Sequence, residues 1–341
     1  MTVGAVLLDH WYIVCRARDL KHRPIAVSLF ERHMVLFRAK NGLPAALEDR
    51  CLHRNAKLSD GKVDKGLIAC PYHGWRYAGD GTLAEIPAAC SEHVVEKVGV
   101  KVFPCIEQDG FIWVAPTEVP AIERPIRFPF LQEKGWTSFV MTTDFNAPVE
   151  ACLENFLDCP HATHVHKGWF RTPTSEKVHA VVRTLDDGAV AEYFNEPRRK
   201  SVVWRLLSKS KASMQHTDRF IAPATSRVDY IFSDKRHFII TSSCTPLAAD
   251  VTRVYTVMNF KFGLFGWFIR LFFEPLSHLI IRQDVAMLNR QYANIRRFNR
   301  AKFQYTPVDL LGPHIVHWRE ALANNRKPPQ SGIERHVDMR L

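Results

Sequence analysis

At 341 residues, 46% hydrophobic and 24% charged, the chain is long enough for two globular domains and has no composition of a disordered, collagenous or disulfide-scaffold protein. The net charge of +11 invites a nucleic-acid reading, yet the basic runs "RRKSVVWRLLSKSK" (198–211) and "IRRFNRAK" (295–302) have no helix-turn-helix, zinc-finger or RNP motif beside them. They read as solvated faces or as docking sites for an acidic protein partner, and no nucleic-acid partner is predicted.

The N-terminus, "MTVGAVLLDHW", lacks a basic leader and a long apolar run, so a cytoplasmic location is expected. In that reducing compartment the eight cysteines serve as metal ligands or small core residues rather than disulfides. Further along, short β-like runs, "MVLFRA" (34–39) and "FIWVAP" (111–116), flank two loops punctuated by Gly and Pro. The loops carry Cys51-x-His53 and, sixteen residues later, Cys70-x-x-His73. Each pair alone is weak, since Cys90-x-x-His93 and Cys159-x-His161 match the same spacings. Together the two loops make a Cys2His2 set. Zinc accepts that set, but zinc fingers pair the cysteines in one knuckle and the histidines in the other, whereas here each knuckle is mixed.

"CLHRNAKLSDG…CPYHGWRY" resembles the Rieske [2Fe–2S] motif, down to Arg54, Leu58, Gly61, Pro71, Gly74 and Trp75. The resemblance implies that Cys51 and Cys70 hold one iron and His53 and His73 the other. Rieske proteins of respiratory complexes carry two further cysteines and a serine bonded to a cluster sulfur; this chain has Asn55, Tyr72 and Trp75 in those places. Fewer hydrogen bonds to the sulfurs predict a potential low in the range of roughly −150 to +300 mV.

The segment "APVEACLENFLDCPHATHVHKGW" (147–169) predicts a helix starting near Pro148. Glu150, Glu154, Asp158 and His161 share one face, with Glu150 expected in solvent, while Leu153, Phe156 and Leu157 form an apolar stripe. Helical geometry brings His161 and His164 to about 60° of one another and leaves His161 and His166 about 140° apart. The β-branched Thr163 and Val165 and the stop signal Gly168 leave room for the helix to end first. The apolar run 262–281 contains Arg270, Glu274, Pro275 and His278 and reads as a buried or amphipathic segment, with membrane contact not expected. After Pro275 a helix is predicted whose stripe is Leu276, Ile280, Asp284 and Leu288. An aspartate in that line needs a partner, either a metal or Arg282 or Arg290.

"ENFLDCPHATHVH" is similar to a segment of the Rieske non-haem iron oxygenases, in which the two ligands are five apart and the helix ends between them. The resemblance implies that His161 and His166 bind a mononuclear Fe(II) with Asp284 as the third ligand, leaving Cys159 and His164 as bystanders. Asp158, one turn before His161, is placed to orient that ring through its carboxylate, and the resemblance implies that it also bridges to a Rieske histidine, matching His73, of a neighbouring subunit in a homotrimer, with Asn155 in support. The implied fold is α+β: an antiparallel β Rieske domain (1–118), then a helix-grip, START-like catalytic domain with a curved antiparallel sheet (119–341). The implied function is the terminal oxygenase of a multicomponent Rieske system. Electrons come from NAD(P)H through a separate reductase or ferredoxin, since the chain has no Rossmann or flavin fingerprint, and O2 serves to hydroxylate or demethylate a small cyclic substrate. The length favours the compact branch that includes vanillate O-demethylase over ring dioxygenases. A Rieske electron carrier and a zinc-stabilised nucleic-acid binder are the readings from other classes.

Overall fold

A computed structural model describes residues 6–89, 98–167, 169, 176–194, 196, 214–233, 236–263 and 266–340. The basic run 198–211, the decoy pair Cys90 and His93, Gly168 and Phe170 lie outside the described residues. Two compact units are present among the described residues, one over 8–127 and one over 128–340.

The strands of the first unit all pair antiparallel. Its strands are β1 (Tyr12–Arg16), β2 (Ile25–Leu29), β3 (Arg32–Arg38), β4 (Pro44–Glu48), β5 (Lys62–Asp64), β6 (Leu67–Ala69), β7 (Arg76–Tyr77), β8 (Leu83–Glu85), β9 (Val102–Phe103), β10 (Cys105–Gln108) and β11 (Phe111–Val114). They form three sheets, β1–β11–β10, β2–β3–β4–β9 and β5–β6–β7–β8. Met34, Val35, Leu36 and Phe37 are all buried, as a strand covered on both faces requires. Val35, Phe37, Leu47, Leu58, Ile68 and Tyr77 make one core, and Cys51 and Cys70 belong to it.

The second unit comprises β12 (Thr137–Phe145), α1 (Val149–Leu157), α2 (His161–His164), β13 (Lys177–Leu185), β14 (Gly188–Phe194), β15 (Gln215–Ile221), β16 (Thr225–Ser233), β17 (Arg236–Ala248), β18 (Val251–Lys261), α3 (Gly266–Arg297), α4 (Gly312–Ala323) and β19 (Glu334–Arg340). Eight strands form one antiparallel sheet in the order β12–β18–β17–β16–β15–β14–β13–β19. The α+β class expected from the sequence is the class observed. Along β15, His216, Asp218 and Phe220 are buried while Gln215 is exposed, the period-two alternation of a sheet with one covered face. Helix α1 packs against β15 to β18, and α3 against β12 and α1.

Two sequence expectations need correction. Helix α3 does not begin after Pro275 but at Gly266, with Pro275 inside it. Proline removes one backbone hydrogen bond, which a 32-residue helix docked through Phe273, Ser277, Asp284 and Leu288 withstands. Its first turns leave Trp267, Phe268, Leu271 and Phe272 exposed, and no helix among the described residues is long and apolar enough to cross a membrane. Glu150, expected in solvent, instead accepts from Arg319 Nε of α4 at 2.7 Å, and Arg319 Nη1 also donates to the Pro223 carbonyl at 2.6 Å. Arg319 is 1% exposed, so the pair ties α1, the β15–β16 turn and α4 together.

Removing one member of a buried ion pair strands the other. Arg319→Ala should therefore lower the unfolding free energy by about 3–5 kcal/mol in a denaturant titration. A loss under about 1 kcal/mol, the range of a surface pair, contradicts this role.

Candidate active site

In the first unit the two Cys/His loops repeat one geometry. Cys51 N–H donates to the Ala56 carbonyl (2.9 Å) and Asn55 N–H to that of Cys51 (2.9 Å); Cys70 N–H donates to the Trp75 carbonyl (2.8 Å) and Gly74 N–H to that of Cys70 (3.1 Å). The fifth residue of each loop is left-handed, Asn55 at φ 60° and Gly74 at φ 73°, a conformation that Asn and Gly adopt most readily. Each loop thereby turns its cysteine into the core and its histidine outward. Cys51 and Cys70 are 1% and 4% exposed and within hydrogen-bonding reach of each other. The His53 and His73 rings lie 4.5 Å apart on the exposed side, with His53 stacked on Trp75 at 4.6 Å. Burial pushes the Cys70 thiol up, a penalty a bound metal removes by taking the proton's place. Two inner thiols and two outer imidazoles fit a Rieske [2Fe–2S] cluster.

One residue of this site escaped the sequence reading. The Tyr77 hydroxyl lies 3.2 Å from Cys51 Sγ and accepts the Leu52 N–H at 3.2 Å; with Cys51 a thiolate ligand of a cluster, the hydroxyl is the partner that donates to the sulfur. The sulfurs are therefore less bare than Asn55, Tyr72 and Trp75 led us to expect. A hydrogen bond to sulfur stabilises the reduced cluster, so Tyr77→Phe should lower the midpoint potential in a redox titration. An unchanged potential refutes the bond's role.

In the second unit, donor atoms of His161, His166 and Asp284 all lie within 4.8 Å of one another. Helix α1 ends at Leu157, a break at 158–160 follows, and α2 supplies His161 on one short turn before ending at His164. His166 lies beyond that end, which removes the 140° separation of an unbroken helix. Asp284 Oδ1 is 3.0 Å from His166 Nε2 and 3.6 Å from His161 Nε2. Both outer nitrogens are bonded away from the centre: His161 Nδ1 donates to the Asp158 carbonyl, and His166 Nδ1 to Gln283 Oε1 at 2.8 Å. In neutral rings this fixes the proton on Nδ1 and turns both Nε2 lone pairs toward a carboxylate. Such a convergence is repulsive unless a cation lies within it, so the donors fit a divalent metal. In the metal-free site, burial disfavours the His161 imidazolium, but Asp284 outweighs it and raises its pKa; burial likewise opposes the Asp284 carboxylate, and the two histidines outweigh it and lower its pKa.

The remaining predicted residues surround this trio. Asp158 holds His161 through its main-chain carbonyl, not through the carboxylate as the sequence implied. The break at 158–160 turns that carbonyl toward the ring. Burial raises the pKa of the Asp158 carboxylate, and His161 opposes the rise. Asn155 Nδ2 is 3.4 Å from Asp284 Oδ1, while its buried Oδ1 has no partner among the described residues. His164 is exposed and outside the trio.

The three donors open on a cavity of about 130 Å³ between the helices and the sheet. Phe156, Ile240, Met258, Phe273 and Ile281 supply apolar wall. A second polar cluster, which the sequence reading missed, lines the same cavity: Cys159, His216 and Asp218. His216 Nδ1 meets Glu196 Oε2 at 2.7 Å and Nε2 meets Asp218 Oδ1 at 3.1 Å, and Tyr193 donates to Asp218 Oδ2 at 2.8 Å. Burial works against a charged His216, but Tyr230, Asp218 and Glu196 raise its pKa well above the usual imidazole range. The available signal was "HTDRF", where alternation puts His216 and Asp218 in line with Phe220 on an inward face. Cys159, taken as a bystander, belongs to this cluster.

Residues 10–104 match the family described as Rieske [2Fe-2S] domain, and residues 145–324 match that described as Vanillate O-demethylase oxygenase C-terminal domain. The chain is 36% identical over 339 residues to a chloroplastic chlorophyllide a oxygenase of Chlamydomonas reinhardtii, covering 94% of this chain and 49% of that one. It is 30% identical over 211 residues to methylxanthine N1-demethylase NdmA of Pseudomonas putida, covering 58% of each. The chain spans about half the length of the curated relatives it matches. In fold it is similar to dicamba monooxygenase bound to dicamba (TM-score 0.77, 19% identity, 94% of this chain and 99% of that one). It is equally similar to NdmA of Pseudomonas putida CBB5 with caffeine (TM-score 0.77, 20% identity, 93% and 91%).

Proposed function

The chain belongs to the Rieske oxygenase family, with a Rieske [2Fe–2S] domain followed by an oxygenase domain of the vanillate O-demethylase type, and from that premise we propose that it is the terminal oxygenase of a multicomponent system. The observation that carries the reading is the convergence of His161 Nε2, His166 Nε2 and Asp284 Oδ1 on the wall of an apolar cavity. Held by those three, a mononuclear Fe(II) supplies O2 activation with electrons delivered by the cluster at Cys51, His53, Cys70 and His73. The functional division runs between a cluster domain, 1–118, and a catalytic domain, 119–341.

The residues around the trio position and shield. The Asp158 carbonyl and Gln283 fix the two imidazoles, and Asn155 braces Asp284. Phe156, Ile240, Met258 and Phe273 keep water from the reacting carbon. The roughly 150 Å³ apolar cavity that accepts benzene in an engineered protein gives the scale, so this one suits a single small ring. Relatives named as an O-demethylase and an N1-demethylase favour monooxygenation of a ring or loss of an O- or N-methyl group over ring dioxygenation. NAD(P)H is the electron source, through a separate reductase or ferredoxin, for which the basic surface is suited. In a homotrimer, Asp158 links the His161 end of the iron site to His73 of a neighbouring copy. Asp158 lines both the active-site cavity and a second cavity of about 260 Å³ beside it, a placement that supports such a link.

Iron analysis of the purified protein should give about three atoms per chain, two in the cluster and one at the trio. Replacing His161, His166 or Asp284 by Ala should bring it to about two with the cluster spectrum intact. His164→Ala should keep all three; loss of iron there, with retention in His166→Ala, contradicts the ligand assignment. Asp158→Ala should keep the iron yet stop electron transfer from cluster to iron, and unchanged turnover removes the link. Screening methylated ring compounds for NADH-driven O2 uptake with a surrogate reductase then separates outcomes: formaldehyde marks demethylation, a ring diol dioxygenation.

A further inference from the structure

Strand β13 and the edge strand β19 carry a pair of histidines that the oxygenase reading does not use. Alternation buries Val178, Ala180, Val337 and Met339 and turns His179, Glu334, His336 and Asp338 outward. The antiparallel register sets His179 directly opposite Asp338 and diagonal to His336, a spacing that long side chains bridge. None of the four lines the active-site cavity.

Each ring is held from behind by a carboxylate. His179 Nδ1 meets Asp338 Oδ1 at 2.8 Å, and His336 Nε2 meets Glu334 Oε1 at 2.8 Å. Glu334 is itself fixed by Arg183 Nε, which donates to Oε2 at 2.9 Å. Phe194 of β14 lies on another side of His179, with ring centres 6.1 Å apart. An ionised carboxylate only accepts, so in each neutral ring the proton sits on the nitrogen that faces it. The bare nitrogens are then His179 Nε2 and His336 Nδ1, and they lie 3.2 Å apart. Two lone pairs at that distance repel unless something positive lies between them. A proton can do so by turning one ring into an imidazolium, whereas a divalent cation does so with both rings neutral. The separation suits the cation: two imidazole nitrogens at zinc-bond length, about 2.0–2.1 Å, and a tetrahedral angle stand about 3.3 Å apart. Metal-binding histidines also keep a carboxylate or carbonyl on their other nitrogen, and that brace occurs twice here.

We propose that His179 and His336 bind a divalent transition-metal cation of the zinc class, which imidazole suits, with Asp338 and Glu334 bracing the rings and water completing the shell. Bound there, the cation ties β19, which pairs on one side only among the described residues, to β13. The site stands apart from the iron trio and does not depend on the oxygenase reading.

The test titrates Zn2+ into the untagged, iron-loaded protein without O2, by calorimetry, and counts iron afterwards so that zinc displacing iron is seen. The wild type should bind one Zn2+ per chain more than His179→Ala or His336→Ala, with equal iron in all three. Asp338→Asn and Glu334→Gln keep both imidazoles and should weaken that Zn2+ by about 10–100-fold, the usual cost of losing a brace behind a metal ligand. Excess Zn2+ should raise the Tm of the wild type more than that of His336→Ala, since a ligand that binds only the folded chain stabilises it. If a histidine variant does not fold, the two carboxylate variants decide. A wild type that binds no more Zn2+ than the histidine variants, or full affinity in both carboxylate variants, overturns the proposal.

Discussion

Two imidazole lone pairs and a carboxylate pointed at one buried spot repel one another, and the second unit is organised around that constraint. The arrangement persists only with a cation between the three groups, or with protons in its place. The scaffold therefore has to hold each ring from behind. It does so with a main-chain carbonyl at Asp158 and a side-chain amide at Gln283, both outside the donor triangle. Because Gln283 and Asp284 are neighbours on α3, one helix supplies both a ligand and the brace of another. The break between α1 and α2 is the matching device on the other side, turning a carbonyl that an unbroken helix would consume onto His161.

The first unit solves a different problem with similar economy. A cluster held by two thiols and two imidazoles needs an apolar end and an exposed end. The two loops give both by repeating one backbone turn with a left-handed fifth residue, Asn55 or Gly74. The cysteines count as core, sharing it with Val35, Phe37 and Tyr77, so the stability of the sheets and the shape of the cluster site are one property. Tyr77 does both tasks, with a buried ring and a hydroxyl on Cys51.

What could be read from the sequence was whatever rests on local chemistry. Mixed Cys/His knuckles in Gly/Pro loops, an aspartate in an aliphatic stripe and alternating strands all have short-range causes. The pair His161 and His166 was not decided by helical spacing, which favoured His164; only the resemblance chose, since the helix end at His164 depends on packing. Glu150 was misplaced because its partner, Arg319, lies 169 residues away. The start of α3 was misplaced because proline's local effect was set against tertiary docking. The cluster around His216 was missed although "HTDRF" alternates plainly, because its partners come from two other parts of the chain, Tyr193 and Glu196 from the end of β14 and Cys159 from the break after α1. Asp158 shows the finer limit: the residue stood out in the sequence, but whether carboxylate or carbonyl met His161 depended on the helix break at 158–160, which spacing does not specify.

Every functional assignment in the second unit depends on the trio being an iron site with a free coordination position. Electron paramagnetic resonance of the iron-loaded protein treated with nitric oxide addresses this directly, since the probe reports only ferrous iron with an open position. A high-spin iron–nitrosyl signal is expected, one that disappears in Asp284→Ala while the reduced cluster signal remains. No such signal in the iron-loaded protein, or one that survives the loss of Asp284, would contradict it.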